Sequence, residues 1–188
     1  MEWKNISWFS RWFSNWWSCG RHCTTIQTRA SNGVVSSATT NPTTGSDNTA
    51  VGSYALNRLT SGYRNTAIGN YAGIDLTTGY YNTFVGNSTA RNITSAICNT
   101  TLGKAALATE TVGATNTAIG YNALTAQNTG YSNTAVGSNA LDANTTADAN
   151  TAIGYAALGA NTTGVDSVAI GDSALLLNTA SSNTAVGN

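Results

Sequence analysis

The sequence contains very little charge. Lysine, arginine, aspartate and glutamate make up 9% of its 188 residues, against about 25% in an average soluble domain. Intrinsic disorder usually accompanies high net charge, whereas here the formal net charge is zero and 41% of the residues are hydrophobic. Convergent carboxylates and histidines of the kind that build catalytic sites are also missing, since His22 is the single histidine and the acidic residues are scattered. We therefore predict a folded protein that is not an enzyme and has no cofactor.

Proline, cysteine and long apolar runs are also scarce. Pro42 is the single proline and precedes the repeats described below, where a proline would interrupt a hydrogen-bonded ladder. The three cysteines are too few for a disulfide scaffold. Cys19, His22 and Cys23 are three metal ligands without a fourth, and a local thiol pair or an interchain disulfide is the simpler interpretation, so we predict no metal site. No run of 18 apolar residues predicts a transmembrane helix, and the N-terminus does not resemble a secretory signal.

The few charges are unevenly distributed. Residues 1–29 and 48–104 together carry eight basic residues and two acidic ones, whereas residues 105–188 carry five acidic residues and no basic one. The basic residues are too dispersed for a nucleic-acid surface, so we predict no nucleic-acid partner. The gradient from basic to acidic favours head-to-tail attraction between identical chains.

A seventeen-residue repeat fills most of the chain. The motif Asn-Thr-Ala-(Ile/Val)-Gly recurs seven times at intervals of seventeen residues and once more after sixteen, with its first residue at Asn48, Asn65, Asn82, Asn99, Asn116, Asn133, Asn150, Ser167 and Asn183. A fixed period of this length is the signature of a solenoid, in which each repeat forms one coil and stacking buries a narrow core. Equivalent Asn and Thr side chains then lie above one another and can form hydrogen-bonded ladders.

The columns of the repeat predict the structure of each coil. We assign the aliphatic column to the core as its spine: Val51, Ile68, Val85, Leu102, Ile119, Val136, Ile153, Ile170 and Val186. The threonine two positions earlier shares its parity, and the intervening small residue faces the other way. The glycine that follows predicts a corner with positive φ or a close backbone approach: Gly52, Gly69, Gly86, Gly103, Gly120, Gly137, Gly154 and Gly171. An Ala-Leu pair then forms a second wall.

Two short strands and two corners per repeat predict an all-β parallel β-solenoid or β-roll of about nine rungs, on the order of 40 Å long. A helical repeat is disfavoured because six residues between glycines are too few for a stable helix. The predicted organisation is an aromatic N-terminal helix over residues 1–23, a linker or irregular first rung over residues 24–47, and the repeat array over residues 48–188.

The N-terminal segment carries an aromatic face. Its large apolar residues follow helical spacing: Trp8, Phe9, Trp12, Phe13, Trp16 and Trp17. We interpret this face as a cap on the solenoid or a contact with another subunit. Insertion into a lipid interface is the alternative, although membrane-surface helices usually carry more lysine and arginine.

The repeat also resembles known families. Residues 116–124, with the sequence NTAIGYNAL, resemble the repeats of phage tail-fibre proteins and related bacterial surface proteins. Residues 167–171, with the sequence SVAIG, resemble the head repeat of YadA-like trimeric autotransporter adhesins. The resemblance implies a commonly trimeric β-roll that serves as an adhesive head or fibre shaft outside the cell, on a cell surface or on a virion. No heptad stalk, membrane-barrel anchor or self-cleaving chaperone is visible, and the period of seventeen favours the tail-fibre-like branch.

These observations predict a structural protein that forms fibres or filaments, as a homotrimer or a head-to-tail homopolymer. The sequence stops inside a repeat at Gly187-Asn188, and such a rung is expected to join the start of another chain. The alternative is a receptor-binding adhesin or tail-fibre module, in which Tyr63, Tyr80 and Tyr131 either bind a glycan or receptor or shield strand edges. Ice binding is a third function. It needs flat exposed ranks of threonine, for which the columns that begin at Thr49 and Thr60 are the candidates, and the Thr49 column shares the parity of the predicted core, so we expect it to be at least partly buried.

Overall fold

A computed structural model of the chain describes Thr24–Thr25 and residues 44–109 and 112–188. Ten parallel strands form one sheet in which sequence order is also spatial order. They are β1 Thr24–Thr25, β2 Thr49–Val51, β3 Thr66–Ile68, β4 Thr83–Val85, β5 Thr100–Leu102, β6 Thr117–Ile119, β7 Thr134–Val136, β8 Thr151–Ile153, β9 Val168–Ile170 and β10 Thr184–Val186. The predicted aromatic helix, with Trp8, Phe9, Trp12, Phe13, Trp16 and Trp17, lies outside the described residues, as do Cys19, His22 and Cys23.

The repeat folds as an all-β parallel β-solenoid, which confirms the predicted fold class. Each strand pairs with the equivalent strand of the next rung, so that Thr66 aligns with Thr83 and Thr83 with Thr100. The strand β1 pairs with β2 in the same way, with Thr24 beside Thr49. Neighbouring strands in a sheet are about 4.8 Å apart, so the stack from β2 to β10 is about 40 Å long.

The chain turns sharply at the glycine that follows each strand from β2 to β9. Gly120 has a φ of 134°, and a Cβ added there would lie 2.4 Å from the carbonyl oxygen of Gly137 in the next rung. The backbone angle and the stacking distance each exclude a side chain. The other glycines of this column share both features: Gly52, Gly69, Gly86, Gly103, Gly137, Gly154 and Gly171.

The second wall of each rung is a series of turns, whereas the sequence predicted a second strand. Alternate residues there have positive φ, as Asn122 (55°) and Leu124 (53°) show. Extended backbone requires negative φ, so these residues cannot continue a strand. Backbone hydrogen bonds still join the rungs, because the amide of Leu124 donates to the carbonyl oxygen of Ala140 at 3.0 Å.

The interior is narrow and is filled from both walls. The turn wall contributes fully buried pairs such as Ala123 and Leu124. Because the leucine occupies most of the width, close packing leaves room only for a small residue on the strand opposite. That strand position forms an inner column of buried residues: Ala50, Ala67, Phe84, Thr101, Ala118, Ala135, Ala152 and Ala169.

The aliphatic column that was predicted to form the core lies on the outer surface of the sheet. Side chains alternate along a strand, so an inward alanine directs the residues on either side of it outward. Ile68 is 41% exposed and Leu102 is 50% exposed. The core assignment is therefore wrong for the whole column, whose members are exposed or half-buried: Val51, Ile68, Val85, Leu102, Ile119, Val136, Ile153, Ile170 and Val186.

Two departures from alanine in the inner column are compensated by neighbouring residues. Phe84 occupies space that a leucine fills in other rungs, because the turn-wall position beside it is Gly73, where an added Cβ would lie 2.7 Å from the Phe84 ring. Thr101 is buried, and its Oγ1 lies 2.7 Å from Oγ1 of Thr89, which is buried as well. The narrow core thus accepts a larger or polar residue only where the facing residue changes with it.

Buried asparagines connect successive rungs. The Asn116 Nδ2 group donates to the carbonyl oxygen of Gly130 at 2.9 Å, and its Oδ1 accepts from the amide of Asn133 at 2.9 Å. We call this column the asparagine ladder: Asn48, Asn65, Asn82, Asn99, Asn116, Asn133 and Asn150, with Ser167 continuing it. Each side chain satisfies one backbone carbonyl within its own rung and one backbone amide of the next, so the ladder fixes the register of the stack.

Candidate interaction surface

The most regular surface of the rod is the outer side of its sheet. We define the outer face as two columns, the outer aliphatic column listed above and the outer threonine column two residues before it: Thr49, Thr66, Thr83, Thr100, Thr117, Thr134, Thr151, Val168 and Thr184. At about 3.3 Å per residue the columns lie about 7 Å apart, and each repeats every 4.8 Å or so. The outer face is therefore a flat, periodic strip that runs the length of the stack.

The outer aliphatic column is apolar without interruption from β2 to β10. Single exposed aliphatic residues are ordinary on protein surfaces. A contiguous row is not, because exposed apolar patches of this extent mark contacts with other molecules. This row is the strongest sign of an interaction site in the described residues.

The outer threonine column has hydroxyl groups without an intramolecular partner in the part of the chain that the structure describes. Threonines at the corners behave differently. Thr60 Oγ1 donates to the carbonyl oxygen of Thr77 at 3.0 Å, and Thr77 Oγ1 donates to that of Thr94 at 2.9 Å. The corner hydroxyls thus hold rungs together, whereas those of the outer face are directed to solvent or to a partner molecule.

No charged residue belongs to the outer face, and the charges of the rod as a whole change sign along its length. Residues 44–109 contain four basic residues and two acidic ones, and residues 112–188 contain four acidic residues and no basic one. In the first half, Nη1 of Arg58 lies 2.9 Å from Oδ1 of Asp75, and Nε of Arg64 lies 3.8 Å from Oδ2 of Asp47. The second half has no cation to balance its carboxylates, and the rod is therefore an electric dipole.

The corner tyrosines do not form one platform. The rings of Tyr63 and Tyr80 stack at a centroid distance of 4.8 Å, and Tyr81 lies edge-on to both at 5.6 Å. Tyr131 lies three rungs beyond Tyr80. Stacked rings cover each other's faces, which are the surfaces that a sugar would use.

Within residues 44–109 and 112–188 no three or more His, Cys, Asp or Glu side chains lie close enough to hold a metal ion. The same residues contain no helix with the length and apolarity needed to cross a membrane. Cys98 is an exposed free thiol at a corner. The absence of catalytic activity stays a prediction.

Comparison with protein-family models, curated proteins and solved structures found no match. The structure establishes the class of the protein, a parallel β-solenoid with seventeen-residue rungs. The resemblance of its repeats to phage tail-fibre proteins and YadA-like adhesins stays a prediction.

Proposed function

We propose that this protein is a structural, fibre-forming rod that self-associates, with the outer face as the contact between copies. The observation that carries the proposal is the unbroken outer aliphatic column, which has no charged member. In a monomer the outer aliphatic column stays in contact with water, whereas a second copy has an equally long and flat apolar column that can cover it. Self-association is therefore the simplest way to bury it.

The free energy gained by burying the outer aliphatic column is comparable with the free-energy cost of association. An isoleucine that is 41% exposed, as Ile68 is, presents roughly 70 Å² to water. At about 25 cal/mol/Å², covering it contributes roughly 1–2 kcal/mol. In each copy five of the nine residues are exposed to about this extent or more and four are half-buried. Together the residues of two copies suffice to offset the roughly 4–15 kcal/mol that association costs in lost freedom of motion.

The build of the rod also suits a mechanical role. Strand pairing and the asparagine ladder join successive rungs, and corner threonines such as Thr60 and Thr77 add further bonds between some of them. Such a stack transmits force along its axis through many parallel bonds. The resemblance to tail-fibre and adhesin repeats supports a place outside the cell, on a cell surface or on a virion.

The test is a charge placed in the outer aliphatic column. Replacement of Ile119 and Val136 by lysine should abolish association, because each lysine would have to be desolvated opposite an apolar row. The matched control is Ser61→Lys, at an exposed corner away from the outer face. Sedimentation velocity over a range of concentrations should show oligomers for the unmodified protein and the control, and monomers for the double variant. A protein that is monomeric throughout, or a double variant that associates normally, would refute the proposal.

Ice binding is a second candidate, and the structure strengthens its basis. The sequence predicted that the Thr49 column would be partly buried beside the core, but the outer threonine column faces outward in a regular array with unpaired hydroxyls in the described residues. Thermal hysteresis of the purified protein, measured alongside a Thr117→Lys variant, tests this function. Absence of hysteresis would reject it. The receptor-binding alternative has less support, because Tyr63 and Tyr80 cover each other's ring faces.

A further inference from the structure

We infer that two copies pair side by side in antiparallel orientation, about a two-fold axis that passes through β6. The inference rests on the proposed function, since it takes the outer face as the contact surface. It adds the direction and the register of the two rods. Both follow from the order of the columns and the positions of the charges.

If the rods are aligned and their outer faces overlap fully, a two-fold axis in the plane of contact allows two arrangements. If the axis runs along the rods, the rods are parallel, and the outer threonine column of each copy faces the outer aliphatic column of the other. If the axis runs along the strands, the rods are antiparallel, and each column faces its own counterpart. The antiparallel arrangement is the better match, because apolar residues then cover apolar residues and threonine hydroxyls face hydroxyls, directly or through water.

The register follows from the number of strands. Among the nine strands β2 to β10, the central one is β6, which spans Thr117–Ile119. Full overlap of two antiparallel rods therefore places the two-fold axis at β6. Strands equally distant from it then face each other, β3 of one copy opposite β9 of the second copy.

Charges beside the outer face favour this arrangement. Arg64 lies two residues before the start of β3, and Asp166 lies two residues before the start of β9, so both occupy the same column. In the antiparallel pair each Arg64 lies opposite Asp166 of the second copy, twice by symmetry. In the parallel pair Asp166 lies opposite Asp172 of the second copy, because these two aspartates flank β9 on opposite sides. Asp166 is thus attracted to Arg64 in the antiparallel pair and repelled by Asp172 in the parallel pair.

The distribution of charge along the whole rod also favours the antiparallel arrangement. Its first half carries an excess of basic residues, and its second half carries only acidic ones. Antiparallel rods place these halves against each other, whereas parallel rods place like halves together. Including flanking residues, the contact buries on the order of 1,200 Å² in total, at the lower limit for a stable interface, so association should depend on concentration in the micromolar range.

Exchanging the two charges tests the orientation. Arg64→Asp alone and Asp166→Arg alone should each weaken pairing by roughly tenfold, because each places like charges together at two symmetric contacts. A mixture of the two single variants should pair as tightly as the unmodified protein, since both contacts are then again between opposite charges. The double variant Arg64→Asp/Asp166→Arg should also recover. Sedimentation equilibrium gives each dissociation constant, and thermal melts show whether the variants are folded.

The possible outcomes distinguish a failure of the antiparallel arrangement from a failure of the proposed self-association. Tighter pairing of Asp166→Arg would indicate parallel rods, and two weakened variants that fail to rescue each other would show that Arg64 does not face Asp166. Either result would overturn the inference while self-association stands. Monomeric unmodified protein would refute both. If a charge variant does not fold, spin labels at Ser182, with native cysteines replaced by serine, decide the orientation. Antiparallel rods place the labels about 40 Å apart, whereas parallel rods place both at the same end of the pair.

Discussion

Replacement of one member of the asparagine ladder should loosen the stack at a defined place. Asn116 is buried, donates to the carbonyl oxygen of Gly130, and accepts from the amide of Asn133 in the next rung. Alanine at this position leaves the amide of Asn133 buried without its partner, whereas the carbonyl oxygen of Gly130 loses one donor and keeps the Nε2 group of Gln127 at 2.7 Å. Serine is a milder change, because Ser167 already occupies the same column and accepts from the amide of Asn183 at 3.2 Å.

The magnitude follows from the two lost bonds. The unsatisfied amide of Asn133 costs about 1–3 kcal/mol and the lost bond to Gly130 about 0.5–1.5 kcal/mol, so Asn116→Ala should destabilise the rod by about 1.5–4.5 kcal/mol. Asn116→Ser should cost roughly half as much, because one hydroxyl satisfies part of the pair. The control Asn92→Ala alters an exposed asparagine outside the ladder and should change stability by less than about 0.5 kcal/mol.

Amide hydrogen exchange is the appropriate assay, because a repeat protein can open locally without unfolding as a whole. In Asn116→Ala the amide of Asn133 should exchange at least about tenfold faster, since tenfold corresponds to about 1.4 kcal/mol. The amide of Asn65, three rungs before Asn116, should be much less affected. Unchanged exchange at Asn133, or equal loss for the alanine, serine and control variants, would show that the ladder does not hold the rungs together.

Two further predictions concern the corner glycines and a half-buried carboxylate. Gly120→Ala should lower the melting temperature far more than Ser61→Ala, because its Cβ would lie 2.4 Å from the Gly137 carbonyl oxygen and the residue keeps a φ of 134°. Normal melting would contradict the stacked corner. Desolvation by burial raises the pKa of Asp142, against the opposing effect of backbone hydrogen bonds from Asp142 and Ala143. A raised folded-state pKa favours the protonated form, so this carboxyl stabilises the fold below its ordinary pKa and loses that contribution as pH rises through the folded value. Asp142→Asn should therefore raise the melting temperature slightly near neutral pH and leave it unchanged in acid, and an equal shift at both would refute the assignment.

The period and the corners were predictable from the sequence because they depend on residues with few structural alternatives. A glycine that recurs after every strand, as Gly120 and Gly137 do, has a direct meaning for a backbone that must turn. The seventeen-residue interval likewise fixes the rung, since equivalent residues must stack for the core to be continuous.

Which face of each strand points into the core was not predictable from hydrophobicity. In a strand such as Thr117–Ile119 the isoleucine is the most apolar residue, and hydrophobicity alone therefore assigns it to the core. The opposite wall decides the matter, because Leu124 fills the narrow interior and leaves space for Ala118 alone. Nor does sequence reveal a left-handed conformation at Leu124, since leucine rarely adopts positive φ. The candidate interaction surface was missed for this reason, as it consists of the residues that had been assigned to the core.

Cysteine labelling of neighbouring strand positions tests most directly which side of the sheet is outside. In dilute solution, with native cysteines replaced by serine, the half-buried Ile119→Cys should react with a thiol reagent in the folded rod, whereas Ala118→Cys should react only when the rod opens. Fast reaction at residue 118 with protection at residue 119 would place the aliphatic column in the core and contradict the proposed contact surface.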